Sequence, residues 1–243
     1  MGAAQFFIEG AYATGQTVPI TGGDAHKIIH VLRKRSGDRV EVVDSRAQRF
    51  EATLTIDGDS VRAELGASVV SQERERLQIV VAQGMPKGQK MDFVVEKLTE
   101  LGARAIVPLV SERSVVFEPG ENKLERWRRL AKAAAAQCGR DYVMEIAAPV
   151  AFDNLLESFA EHDCVLFPWE LAQQPALITV LPKLLEGARR VLVVIGPEGG
   201  FSHAEAERAR ARGAHVIGLG TRILRTETAA LLVVAVLNYA AGV

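Results

Sequence analysis

Apolar and polar residues change rhythm once along this chain. Up to about residue 70 the rhythm is that of strands. Phe50, Ala52, Leu54 and Ile56 alternate with Arg49, Glu51, Thr53 and Thr55, a period of two that gives one dry and one wet face. Short apolar runs at 6–8, 40–43 and 61–65, with turn residues at Gly22-Gly23, Gly37-Asp38 and Asp57-Gly58, predict a small β-barrel or sandwich. A helix is expected to interrupt it over 24–35, with Asp24 as N-cap and Ile28, Ile29 and Leu32 on its apolar side.

Beyond a charged connector at 72–76, runs of strand type alternate with runs of helix type, the order of a parallel sheet with helical crossovers. Strands are expected at 78–83, 105–109, 164–167, 191–195 and 215–219. A helix over 89–101 carries Met91, Val94, Leu98 and Leu101 at spacings of three and four and stops at Gly102. Ser202-His203-Ala204-Glu205 has the form of a capping box, which opens a helix that stops near Gly213. The boundary falls near residue 73, giving an α/β protein with a β-rich domain over 1–72 and a larger domain over 73–243.

Composition narrows this picture. At 243 residues and 48% apolar content the chain can fill one large core or two smaller ones. A net charge of −1 supplies no global attraction to nucleic acid or anionic membrane, so such a partner has to be met by a local patch. Cys138 and Cys164 form no metal-binding spacing, so neither zinc nor a disulfide framework is expected, which suits a reducing cytoplasm. Glu9 and Gln16 interrupt the one candidate for a secretory segment. The longest apolar run, 229–237, is about half the roughly 20 residues of a membrane span and reads as a buried helix or a subunit interface.

The chemistry concentrates late in the chain. The strand ending at Ile195 runs into Gly196-Pro197-Glu198-Gly199-Gly200, and twenty residues on stands Leu219-Gly220-Thr221-Arg222-Ile223-Leu224-Arg225-Thr226-Glu227. Three glycines in five positions let a ligand approach the main chain directly. A dinucleotide or phosphate loop is the usual owner of such a turn, but neither G-x-G-x-x-G nor G-x-x-x-x-G-K-[ST] is present, and Glu198 would oppose a phosphate. A Rossmann unit would also need several strands after its glycine turn, where only about 43 residues follow. A ligand that is neutral or cationic near the loop fits better, and S-adenosylmethionine has that character. A tight turn that merely packs is the competing reading.

The two segments together resemble the paired C-terminal motifs of the RsmE family, SPOUT-class methyltransferases that act on N3 of a uridine in small-subunit ribosomal RNA. The likeness extends to Gly84-Met85-Pro86-Lys87-Gly88-Gln89-Lys90-Met91-Asp92, to Glu96-Lys97-Leu98-Thr99-Glu100-Leu101-Gly102, to Ser111-Glu112-Arg113-Ser114, to Gln137-Cys138-Gly139-Arg140 and to His30-Val31-Leu32-Arg33. It implies a C-terminal SPOUT domain with a parallel sheet and a deep trefoil knot holding the cofactor, a PUA-like N-terminal barrel that binds RNA, and a homodimer. The chain departs from the family pattern at Ser45, Thr221 and Cys138, none of which removes a charge.

On this reading S-adenosylmethionine is expected to contact Ile195, Gly196, Pro197, Gly199 and Gly200 on one loop and Leu219, Gly220, Ile223, Leu224, Thr226 and Ala229 on the other. Phe167, Pro168 and Glu170, with Trp169, form a third wall, because ligands of parallel sheets collect at the carboxyl ends of strands. Arg225 is the expected donor to developing charge on the base, and Glu198 and Glu227 are the candidate proton acceptors. Each has a bland alternative: a surface ion pair for Arg225, a turn contact for Glu198, and a favourable charge at a helix N-terminus for Glu227, with Thr226 as the cap. For RNA, Lys27, His30, Arg33, Lys34, Arg35 and Arg39 form a local basic run, with His26, His30 and Arg33 on one helical face. A second run comprises Lys123, Arg126, Arg128, Arg129 and Lys132. No metal is expected. The competing functions are a SPOUT enzyme for a ribose 2′-oxygen or a transfer RNA base, and a non-catalytic RNA-binding assembly factor.

Overall fold

The computed structural model describes residues 3–69, 77–115, 119–172 and 177–242. The charged connector at 72–76, with the boundary expected near 73, lies outside them. The chain divides into two compact units, Met1–Arg74 with Ala135–Val143, and Glu75–Ala134 with Met144–Val243.

The first unit is a five-stranded sheet of β1 (Gln5–Phe7), β2 (Thr17–Ile20), β3 (Arg39–Val43), β4 (Arg49–Asp57) and β5 (Ser60–Val69) in the order β1-β3-β4-β5-β2. The period-two pattern decides its faces, since Phe50, Ala52 and Leu54 of β4 are fully covered while Glu51, Thr53 and Thr55 face solvent. The sheet closes over Phe6, Val18, Val40, Val42, Val61 and Leu65.

The helix of this unit differs from its expected form. It is a short α1 (Gly22–His26) that continues as a π-helical turn over Lys27–Val31, capped at Thr21 and not at Asp24. Gly22-Gly23 therefore opens the helix instead of making a hairpin turn. The wider π-turn keeps Ile28 completely buried and leaves Leu32 beyond the helix, and Arg33 takes a left-handed φ of 52°. The expected face of His26, His30 and Arg33 is thus cut before Arg33. Residues Ala135–Val143, far along the chain, also cluster here: Gln5 donates to the carbonyl of Arg140, and Arg49 bridges Glu41 (3.0 Å), Asp141 (2.6 Å) and the Gly139 carbonyl.

The second unit is a parallel sheet of β6 (Gln78–Gly84), β7 (Ala105–Val110), β8 (Glu145–Ile146), β9 (Val150–Ala151), β10 (Cys164–Pro168), β11 (Arg190–Ile195) and β12 (His215–Ile217). The order is β12-β10-β11-β6-β7-β8, with β9 also pairing β7. The central strands read as unbroken apolar runs because both faces are covered. Helix α2 (Lys90–Glu100) ends where Gly102 adopts a φ of 85°, the left-handed stop that its glycine supplies. The remaining helices are α3 (Glu121–Cys138), α4 (Phe152–Glu157), α5 (Leu177–Leu184), α6 (His203–Ala211) and α7 (Thr226–Ala241). Helix α7 buries Ala230, Val233, Val234 and Leu237, and Asn238 donates to the carbonyl of Leu101, the C-cap residue of α2. No helix among the described residues is long and apolar enough to cross a membrane.

Candidate active site

Strands β12, β10 and β11 are neighbours in the sheet, so the loops leaving their carboxyl ends meet although the sequence separates them. These loops enclose a cleft of ≈ 520 Å³, a size that suits a small molecule. Its walls are Pro168, Trp169 and Glu170 after β10, Ile195 to Phe201 after β11, and Gly218 to Thr226 after β12, with Ala229 on α7 and Lys90 on α2. The two motifs separated by twenty residues therefore do face one cavity, together with the segment after β10.

Close backbone contact explains the glycines. A β-carbon on Gly84, at the end of β6, would stand 2.3 Å from the Pro197 nitrogen, so the glycine loop can cross that strand end only over a glycine. Gly200 has a φ of 65°, and a β-carbon there would meet the Glu170 carboxylate at 2.3 Å. The loop is then pinned from several sides. Thr226 Oγ1 donates to the Gly196 carbonyl (2.5 Å) and accepts from Gln83 Nε2 (2.7 Å). Arg113 donates to the Gly199 carbonyl (3.0 Å), and Trp169 Nε1 to that of Phe201 (3.2 Å). The capping box at Ser202 and Glu205 is fully formed. Ser202 Oγ also reaches Glu112 (2.7 Å), while Glu205 accepts from the Glu112 amide (2.9 Å), which joins the 111–114 loop to the start of α6.

Thr226 is not the cap. Arg225 occupies the N-cap position of α7, which puts Thr226 one residue inside the helix, where its hydroxyl donates to the glycine loop and its oxygen is taken by Gln83. Phe167 does not line the cleft. It is fully buried in the core, with its ring centroid 4.3 Å from that of Phe201, so it supports the loop from beneath.

The two candidate acids occupy different settings. Glu198 Oε1 accepts from the Lys87 amide (2.9 Å) and from Lys90 Nζ (3.1 Å). Burial pushes its carboxyl up, but the Lys87 N–H and the Lys90 ammonium together hold it below its ordinary value. Glu227, in the first turn of α7 and next in the chain to the cleft residue Thr226, has Oε2 3.8 Å from Lys90 Nζ. That oxygen is buried and makes no hydrogen bond. Lys90 was missed by the charge pattern. Its signal was present in the Gly84–Asp92 motif, but only the fold turns α2 so that this lysine meets both carboxylates. Arg222 and Arg225 are exposed on the cleft rim, and neither pairs with an acid among the described residues.

The expected RNA contacts lie in the first unit. Lys27 and His30 sit on the π-turn, and Arg33, Arg35 and Arg39 are exposed on the segment leading into β3, while Lys34 is half-buried. The His26 and His30 rings approach at 4.5 Å. The second basic run is partly spent internally: Arg126 pairs with Asp92 (2.5 Å) and Arg128 with Glu121 (2.6 Å).

Comparison with known proteins bears directly on this site. Residues 73–238 match the model of the RNA methyltransferase domain family. Over 237 residues the chain is 34% identical to ribosomal RNA small subunit methyltransferase E of Bacillus subtilis, covering 92% of this chain and 90% of that protein. The chain belongs to the ribosomal RNA small subunit methyltransferase E family. Its Synechocystis member is 32% identical, over 91% of this chain and 73% of its own length. Among solved structures, the Neisseria gonorrhoeae family member bound to S-adenosylmethionine superposes with a TM-score of 0.88 at 27% identity, covering 98% of each chain. A Legionella pneumophila methyltransferase structure with the same cofactor gives 0.89 at 28%, covering 99% of this chain and 98% of that one.

The residues of the cleft fit such a group. The main chain at Gly220 is open to a ligand, with nothing within 4 Å of where a β-carbon would stand, and the carboxylates of Glu170 and Glu198 on the cleft favour a cationic or hydroxyl-bearing guest.

Proposed function

We propose that this protein transfers a methyl group from S-adenosylmethionine to N3 of a uridine in small-subunit (16S) ribosomal RNA. The observation that carries the reading is the joining of three strand-end loops into one cleft lined by Arg225 and by the Thr226 that precedes Glu227 in the chain. When bound, S-adenosylmethionine supplies an electrophilic methyl group on a sulfonium centre.

The protein's own groups do the rest. The loops at 196–200 and 218–226 hold donor and base in line, and such alignment provides much of the acceleration of a two-molecule reaction. Uracil N3 carries a proton that has to leave. Glu198 is a poor acceptor, because Lys87 and Lys90 stabilise its charged form, and it acts as a latch between the glycine loop and the start of α2. Glu227 is the acceptor: it follows the cleft residue Thr226, no amide among the described residues holds it, Lys90 stands farther from it (3.8 Å) than from Glu198 (3.1 Å), and its Oε2 makes no hydrogen bond. Arg225 meets the negative charge that develops on the base oxygens.

We also infer that the first unit is a PUA-like RNA-binding domain, that the second is knotted around the cofactor, and that the protein works as a homodimer. The basic segment from Lys27 to Arg39 supports the first, and the exposed Leu232 and Tyr239 on α7 support the last. The partner is then the small ribosomal subunit or its RNA, met in the cytoplasm, with no metal and no membrane involved. Nucleoside analysis of 16S RNA from a strain lacking the gene tests the function: N3-methyluridine should vanish and return with the restored gene. Its persistence in the deletion strain would refute the reading.

A further inference from the structure

Ile223 is the most exposed large apolar residue at the cleft, with 86% of its surface open to solvent. It stands in the loop that lines the cavity, one residue after Arg222 and two before Arg225, and both arginines are exposed and unpaired with acids among the described residues. An apolar side chain held out between two unneutralised guanidiniums is costly in water and complementary to one kind of surface, a stacked apolar interior flanked by phosphates. Four consecutive extended residues span at most about 14 Å, so the arginines can bracket a single nucleotide step.

We propose that Ile223 is an RNA wedge: its side chain enters the base stack and fills the gap left when the target uridine turns out into the cleft, while Arg222 grips the adjoining phosphate. The inference rests on the proposed reaction. Chemistry at N3 requires the uridine to leave its stack and pairing, because this atom lies on the pairing edge of the base and is unreachable within a helix. Turning a nucleotide out costs a few kcal/mol, and apolar wedges at the vacated step are the usual means of offsetting that cost. Arg225, deeper by two residues, remains free for the base itself. The wedge also explains why a loop otherwise built for close packing presents an isoleucine to solvent.

The test uses the full-length protein and small ribosomal subunits purified from a strain lacking the gene. Ile223→Ala should lower kcat/KM for subunits roughly tenfold or more, whereas Ile223→Leu should restore most of it. Because Ile223 also lines the cleft, calorimetry should show S-adenosylmethionine affinity falling several-fold less than kcat/KM, and sedimentation an unchanged oligomeric state. Arg222→Gln should raise KM and weaken its salt dependence, as expected for loss of one phosphate contact. An unchanged kcat/KM in Ile223→Ala would overturn the wedge. A loss of cofactor affinity as large as the whole loss in kcat/KM would make Ile223 a pocket wall and nothing more, and a change in sedimentation would make it a contact with a second copy of the chain; either result also overturns the proposal. If the parent protein itself leaves uridine N3 unmethylated, the proposed reaction fails, a result distinct from failure of the wedge alone.

Discussion

At the scale of single residues, the cleft separates groups that the sequence presents as equivalents. Glu198 and Glu227 are both acids beside glycine-rich segments, yet one is bound by two donors and the other retains an unbonded oxygen. Glu227→Gln should therefore lower kcat by about 10²–10⁴ with little change in cofactor affinity, the range expected on losing a general base. Glu198→Gln should act mainly through loop order, weakening cofactor binding more than kcat. Equal kcat losses in both variants would end this division of roles. Arg225→Ala is expected to leave cofactor affinity within a few-fold and to reduce turnover by about 10²–10³, typical of removing one donor to developing charge. Gly84→Ala is a sharper test of the architecture. Its β-carbon would fall 2.3 Å from a backbone nitrogen that cannot rotate away, so cofactor affinity should fall at least roughly tenfold, together with a lower Tm.

At the scale of elements, most of what the pattern announced is present. The capping box at Ser202, the glycine stop after α2 and the apolar strands of the parallel sheet are consequences of local chemistry, and neighbouring residues suffice to specify them. Ser202→Ala should cost about 1 kcal/mol through the cap, and more because Glu112 also loses its donor. Thermal unfolding checks this, and a Tm within experimental scatter of the parent would contradict it. The departures have tertiary causes. The helix after β2 is shorter and starts earlier than its sequence suggests because the core demands Ile28 and takes a π-turn to bury it fully. Thr226 looks like a cap, yet the N-cap position falls one residue earlier, at Arg225, and the Thr226 hydroxyl donates to the Gly196 carbonyl and accepts from Gln83, both far away in the chain. Neither cause is visible in the local sequence.

At the scale of the whole molecule, pH reports on groups scattered through both units. Asp44 has its side chain fully covered; burial pushes its carboxyl up, but amides of Gln48, Tyr12 and Arg46, with the Arg46 guanidinium, leave it below the usual range. The Arg189 and Arg190 amides lower Asp163 in the same direction, as Lys87 and Lys90 lower Glu198. A carboxyl lowered by folding adds stability that is present above its unfolded value, about 4, and is lost as pH falls through the lower folded value. His162 acts earlier. Burial above all lowers its pKa, so the unfolded chain binds the proton more readily and stability declines as pH drops below about 6.5. Tm should be flat between pH 7 and about 8, slope gently below 6.5 and fall steeply under about 4; His162→Gln should remove the gentle limb. A Tm that rises on acidification from 7 to 5 would reverse the sign of the argument.

The amino-acid order by itself determined the period-two strands of the first unit, the alternation of strand and helix in the second, the caps and stops, and which two segments are shaped for a ligand. These depend on neighbours in sequence, whose spacing alone sets which face is dry and where a helix ends. Only the tertiary structure decided that β12, β10 and β11 lie side by side, and hence that Glu170, Gly200 and Arg225 border one cavity, that Lys90 stands between two acids, and that Gln5 and Arg49 hold residues 139–141. Strand order and long-range pairing arise from the packing of whole faces, and no short window of sequence contains that information.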